Sequence, residues 1–260
     1  MAPAVPALSA RRRQCPPREI GYRRHNGKTL EKSGETVHSG LMKNRRILLL
    51  SALAFVAFIA PLAAQERPDA LRYFRTGRDL EAAGRADDAA AAYRRSIEIC
   101  RDDLAANSRN MDAYTIYGWA LVRLNRHQEA VDLGLEALKI SNDVRVIQTM
   151  GEAYFYLRNY RESLRQMERY VDAAPRGDRV STAYFFIGEI YRIQGQFNKA
   201  DIAYSQAVYL EPALPLWWFR LGSVREQVGD KPGARTAYER AIRLRPDYRE
   251  ATEGLARVRS

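Results

Sequence analysis

Five glycines divide most of this chain into units of nearly constant length, and that periodicity narrows the choice of fold more than any other feature. Gly77, Gly118, Gly151, Gly188 and Gly222 lie 41, 33, 37 and 34 residues apart. Twelve residues after each stands a small residue, Ala89, Ala130, Ser163, Ala200 or Ala234. Four residues before each stands a large apolar one, Tyr73, Tyr114, Ile147, Tyr184 or Trp218. The last three units also close on Pro175, Pro212 and Pro246, each 24 residues after its glycine. Self-similarity at a period of about 20 to 50 residues marks an architecture whose unit is one supersecondary element that cannot bury its apolar face alone.

Within a unit the apolar positions recur at helical spacing. Positions −4, −1 and +3 from the glycine fall on one helix face. They carry Tyr114, Tyr117 and Leu121 in the second unit and Tyr184, Ile187 and Tyr191 in the fourth. Seven residues after the glycine stand Gly84, Asn125, Gly195 and Gly229, residue types that accept the left-handed conformation ending a helix. Glycine and alanine between the two helices permit close backbone approach, so each unit is expected to be a helical hairpin and the stack of hairpins to form one continuous core. The extra residues of the first unit, near Asp103 to Asn110, lengthen a helix or form a loop. After Pro246 the segment DYREATEGLARVR reads as one more amphipathic helix, shielding the last apolar end.

The units resemble tetratricopeptide repeats, whose pattern has a bulky aromatic, a Leu-Gly pair, a Tyr, then small, aromatic and small residues, and a closing Pro. YFFIGEIYRIQGQFNKADIAYSQAVYLEP from Tyr184 and WFRLGSVREQVGDKPGARTAYERAIRLRP from Trp218 are the best copies. The resemblance covers about residues 68–248 and implies an all-α fold. That fold is a right-handed superhelical solenoid of stacked antiparallel helix pairs, with five units over 65–248 and a capping helix over 249–260. The second and third units depart from the pattern: Gly134 stands where an aromatic is expected, Asn142 replaces the closing Pro, and Tyr170 replaces a small residue.

The formal charge of +11 would point to nucleic acid or an acidic membrane if it were spread over the fold. It is not: residues 1–64 carry +8, leaving +3 for the repeats, with no dense Lys/Arg run after Arg46. A nucleic-acid partner is therefore not expected. From Met42, Lys43, Arg45 and Arg46 precede a 14-residue apolar stretch, Ile47 to Ala60, followed by Pro61 and the small residues Ala63 and Ala64. That length suits an export signal and falls short of the roughly 20 residues of a spanning helix. Residues 42–64 thus read as a signal peptide cleaved after Ala64, or as an uncleaved anchor tethering the chain through residues 47–64. Residues 1–41, rich in Pro and Arg, are either a disordered cytoplasmic tail or a mis-assigned start with Met42 as the true one. Every combination places the repeats outside the cytoplasm, in a periplasmic or other extracytoplasmic space.

Catalysis needs a nucleophile with its base, a poised carboxylate pair or a multi-ligand metal. The repeats contain one histidine, His127, in the turn of the second unit, where a solvated side chain is expected. Cys15 and Cys100 lie on opposite sides of the export segment and cannot build a disulfide or metal framework. No catalytic residue, metal ligand or cofactor is assigned. A second stripe, at −3, +1 and +4 from the glycines, corresponds in the resembled family to the concave groove where partner peptides lie. It carries Phe74, Arg78, Trp119, Phe155, Phe185, Arg192 and Phe219, with Glu152 and Glu189 between them. Rings supply contact area and charges supply orientation for a peptide, so the expected partners are proteins or peptides and the expected role is an adaptor. The family's paired Lys and Asn clamp for a C-terminal carboxylate is not matched. The competing reading is a pentatricopeptide-like RNA reader, built from helical hairpins of similar length and opposed by the balanced charge of the repeats. The sequence leaves the oligomeric state open.

Overall fold

The computed structural model describes residues 69–259; the tail over 1–41 and the export or anchor segment over 42–64 lie outside the described residues. Among the described residues there are eleven helices and no strand. They pair as α1 (Ala70–Ala82) with α2 (Ala86–Ala106), α3 (Met111–Arg123) with α4 (His127–Ile140), and α5 (Val144–Tyr156) with α6 (Tyr160–Ala173). Then come α7 (Val180–Ile193) with α8 (Phe197–Leu210), α9 (Pro215–Gln227) with α10 (Lys231–Leu244), and the final α11 (Arg249–Arg259). Each helix packs on its partner and on the next pair, and first helices of successive units also touch, which makes the stack a helical solenoid. The extra residues of the first unit lengthen a helix: α2 runs for 21 residues where α4, α6, α8 and α10 run for 14.

Local chemistry sets the helix ends. Asp69, Asn110 and Asp143 accept backbone N–H bonds from Leu71, Ala113 and Arg145 at 2.9, 3.1 and 2.9 Å, satisfying donors that a helix start leaves open. Every first helix ends on a residue at positive φ: Gly84, Asn125, Gly195 and Gly229, as expected, and also Arg158 at φ 60°, which the sequence pattern did not pick out.

Three of the glycine rulers, Gly77, Gly188 and Gly222, sit under second-helix rings, and Gly151 sits under Met167. A Cβ on Gly188 would lie 2.7 Å from the Tyr204 ring, and one on Gly222 2.7 Å from that of Tyr238. The second unit has no such ring, because Gly134 occupies its place. Met150, reaching back from α5, fills the gap: a Cβ on Gly134 would lie 2.6 Å from its sulfur, and the side chain is 1% exposed. Methionine suits this use because its unbranched thioether adapts to irregular space.

The expected core face is only partly the observed one. Ile147 at −4 is buried, but Tyr114, Tyr184 and Trp218 are half-buried and Tyr73 is exposed. The enclosed positions run instead through −5, −1 and +2, as at Ala183, Ile187 and Ile190. A first helix is contacted by its own partner and by both neighbouring units, so its buried arc is wider than, and rotated from, that of a helix in an isolated hairpin. Cys100 is fully buried and burial pushes its thiol up to about 12, the state of an inert packing residue.

Candidate binding cleft

Where a ring occupies position −3, the inner side of the first helices is filled. Phe74, Phe185 and Phe219 lie 5.6, 5.8 and 6.0 Å from the second-helix tyrosines of their own units, Tyr93, Tyr204 and Tyr238. A second ring then covers each from the following segment: Trp119 at 5.5 Å, Trp217 stacked at 5.0 Å, and Tyr248 at 5.2 Å. These rings gain both burial and edge or face contact. They are therefore parts of the packing between units as much as a surface.

The second and third units place Thr115 and Gln148 at the same position. Thr115 Oγ1 donates to the Met111 carbonyl at 2.8 Å, and Gln148 Nε2 donates to Glu152 Oε2 at 3.2 Å; both side chains are 1% exposed. Neither side chain extends as a phenyl ring would; a cleft of about 430 Å³ opens beside Gln148, and Thr115 lines an adjoining recess with Phe74 and Trp119. The apolar wall of the cleft is Phe74, Trp119, Val122 and Val144, and its margin carries Arg78, Arg123, Arg145, Arg179, Glu152 and Asp178. Tyr170 closes one end. Its hydroxyl accepts the backbone N–H of Arg179 at 3.1 Å, and Gly177 leaves the room that the phenol occupies.

The charges around the cleft are mostly paired. Arg123 Nε lies 3.0 Å from Glu81, whose carboxylate also accepts the Tyr93 hydroxyl at 2.7 Å. Burial of Glu81 opposes its ionisation, but those two hydrogen bonds outweigh it and hold the carboxyl below its ordinary value. Arg145 bonds Asp112 at 2.6 Å and Asp143 at 2.7 Å, and Arg179 reaches Glu152 at 3.2 Å. Arg78, exposed on α1, has no carboxylate in reach among the described residues.

The seven residues read from the stripe thus divide. Phe74, Arg78 and Trp119 meet at the cleft. Phe155 packs edge-on against Phe186 at 4.9 Å and Tyr160 at 5.7 Å. Phe185 and Phe219 pack between units as described, and Arg192 bonds Glu189 at 2.7 Å. That buried carboxylate also accepts the Tyr204 hydroxyl at 2.5 Å and faces Arg220 at 2.9 Å. Arg123 and Arg145 escaped the reading although they extend the same stripe by one helical turn, at +5 and −6. Gln148 lies on the stripe but is neither aromatic nor charged. Arg179 belongs to the α6–α7 loop, whose course the repeat pattern does not specify. His127 is not a freely solvated side chain: it stacks on Tyr156 at 4.8 Å, its Nδ1 is buried without a partner, and burial lowers its pKa against the opposing charge of Glu152. Among the described residues no His, Cys, Asp and Glu side chains group as a metal site, and no helix is long and apolar enough to cross a membrane.

Residues 74–144 and 219–259 match one family profile described as tetratricopeptide repeat, and residues 181–214 match another of the same description, together more than half of the chain. The chain is 33% identical over 98 residues to mouse (Mus musculus) protein O-mannosyl-transferase TMTC1 and 28% identical over 132 residues to its human counterpart. These matches take in 37% and 47% of the chain but only 10% and 15% of those relatives. Among solved structures it is similar to TTC0263, a tetratricopeptide protein of Thermus thermophilus, with TM-score 0.55, 19% identity and coverage of 73% of this chain and 98% of that one. It is likewise similar to MamA residues 41 to end from Desulfovibrio magneticus RS-1, with TM-score 0.52, 20% identity and coverage of 72% and 99%. At such identities the likeness is one of fold.

Proposed function

Because the chain belongs to the tetratricopeptide repeat family, we propose that it is an adaptor outside the cytoplasm, exported or tethered through residues 47–64, that holds a partner protein by a segment laid against the inner side of its first three units. One observation carries this reading: where units four and five fill position −3 with an interleaved ring, the third unit places Gln148, and an apolar-walled cleft lined by Gln148, Phe74 and Trp119 stands open there. Clefts of about 300 to 1,000 Å³ with apolar walls and few polar groups are the usual shape of ligand sites. The residues around it have the character of a recognition surface, since no nucleophile–base pair lines it. The extracytoplasmic setting is supported by the order of charge, apolar core and small residues over 42–64.

The test is capture of partner proteins by the full chain and by Trp119→Ala. Loss of a buried aromatic anchor commonly costs about 2 kcal/mol or more in affinity, so recovery of partners should fall by about thirtyfold while helical content stays close to that of the parent. Equal recovery by the variant would remove the cleft from consideration. For the location, N-terminal sequencing of extracytoplasmic material should find chains starting near Gln65, or a longer chain in the membrane fraction. A chain confined to the cytosol would refute export.

A further inference from the structure

We propose that this cleft selects a peptide segment in which a large apolar side chain adjoins a carboxylate: the apolar group enters over Trp119, and the carboxylate pairs with Arg78 and Arg75 on α1. The inference rests on the adaptor reading and adds the chemistry of what is bound.

Three features converge. First, Phe74, Trp119 and Val122 form an apolar wall of the cleft that Arg78 also lines, and Arg75, three residues before it and so on the same helix face, lines the adjoining recess with Phe74 and Trp119. Both are exposed and neither has an acidic partner among the described residues, whereas Arg123, Arg145 and Arg179 are already engaged by carboxylates of this chain. The recess also holds Asp112, paired with Arg145, and Asp69, exposed and in no ion pair, so the two arginines leave the α1 side a net positive charge. Second, the far margin carries Asp178, exposed and likewise without a cation in reach. It disfavours a carboxylate at that end, so the cleft has a polarity, acid toward α1.

Third, the orientation of Gln148 is chemically fixed. Its Nε2 must face Glu152, because an ionised carboxylate only accepts hydrogen bonds. Its Oε1 is then left buried with no donor among the described residues, an unfavourable position for an acceptor. A ligand with N–H groups meets that need and a purely carboxylic amphiphile does not. A peptide offers an apolar side chain, a carboxylate and backbone N–H donors together. A fatty acid offers only the first two.

The experiment is an array of heptapeptides with acetylated and amidated ends, bearing Phe, Leu or Ser at the centre and Glu, Lys or Ser beside it, probed with the full chain. Phe-Glu and Leu-Glu peptides should bind about fivefold better than their Lys counterparts, the upper range for an exposed ion pair, and about tenfold or more better than Ser-Glu peptides. In Arg78→Glu the preference for Glu over Lys should vanish or reverse while the preference for Phe over Ser remains. In Trp119→Ala the preference for Phe should vanish in a protein of unchanged helicity. Equal binding of Glu and Lys peptides, an unaltered preference in Arg78→Glu, no bound peptide, or displacement of every bound peptide by micromolar oleate would each overturn the inference. If the array shows no acidic preference while Trp119→Ala still releases captured partner proteins, this inference fails and the adaptor reading stands. If Trp119→Ala releases nothing, the adaptor reading fails as well.

Discussion

The fourth and fifth units and the second and third units are built from the same hairpin, yet their inner sides differ. In the fourth and fifth, rings follow the repeat pattern and interleave: Phe185 between Tyr204 and Trp217, Phe219 between Tyr238 and Tyr248. In the second and third, Gly134 lacks the second-helix ring, Thr115 and Gln148 lack the −3 ring, and Tyr170 stands where a small residue is usual. The substitutions act together: Met150 restores packing behind Gly134, and Tyr170 with Gly177 closes the cleft that Gln148 helps to line. Units that follow the pattern closely spend their side chains on one another. Units that depart from it leave apolar surface and polar groups unfilled, which is where a ligand can bind.

The comparison is broken most severely at the ring the pattern demands. Tyr204 is fully buried and its hydroxyl serves the enclosed carboxylate of Glu189. Tyr204→Ala should destabilise the fourth unit by about 3 to 5 kcal/mol, the range for large core aromatics reduced to alanine, read as a lowered urea midpoint. The mirror experiment restores the pattern where it is absent. Gly134→Tyr gives the second unit its expected ring, but Met150 already occupies that space, so overpacking should cost about 1 to 3 kcal/mol. A stabilised Gly134→Tyr would mean that the second unit is an imperfect copy with no packing solution of its own.

These two substitutions also mark what could be read before the structure was known. Helix number, pairing and turns were legible because each rests on local spacing: glycine to small residue, glycine to left-handed cap. That Gly134 departs from the pattern was legible too, but its remedy was not, since Met150 comes from the next unit. The stripe was legible as a row, but not what surrounds each of its members. Phe74, Arg78 and Trp119 stand together, whereas Phe185 and Phe219 pack between units, because a stripe read from one helix cannot show which of its members the neighbouring helix covers. Gln148 was passed over because its importance lies in an amide orientation imposed by Glu152 and not in its residue type.

The fifth unit and α11 offer a titratable version of the same comparison. Glu226 on α9 accepts Arg257 of α11 at 2.8 and 3.0 Å and the Tyr238 hydroxyl of α10 at 2.7 Å, joining three helices at one carboxylate. The Arg257 hydrogen bond is the largest of the effects that hold Glu226 below the ordinary 4.5. Because the folded value is depressed, the contribution is present above the ordinary value and is lost as pH falls through the lower, folded one. Amide exchange in α11, corrected for intrinsic rates, should accelerate relative to α7 between about pH 6 and pH 3, and Glu226→Gln should flatten that difference. Arg257 is more than half exposed, so solvent screening keeps the effect modest. An α11 whose exchange in the parent and in Glu226→Gln follows the same pH profile would show that the apolar residues Ala251, Leu255 and Val258 dock it unaided.

The smallest expected effect concerns the turn of the third unit. Its first helix ends on Arg158 at φ 60°, where the first, fourth and fifth units end on glycines at 75°, 71° and 83°. A left-handed backbone at a side-chain-bearing residue other than Asn or Asp costs about 1 to 2 kcal/mol. Glycine removes that strain but frees the unfolded chain by about 0.5 to 1 kcal/mol. The difference leaves Arg158→Gly more stable than the parent by about 0.5 to 1 kcal/mol, a small upward shift of the urea midpoint. Asn125, at φ 58° in the second unit, already belongs to a residue type that tolerates this conformation, so Asn125→Gly should change stability by less. Arg158 is exposed and has no ion pair or side-chain hydrogen bond among the described residues, so nothing that holds the fold is removed with it. If Arg158→Gly is instead destabilised, the turn is held by contacts of the arginine that its exposure does not suggest. The third unit would then differ from the glycine-capped units in how its hairpin is closed as well as in how its inner side is filled.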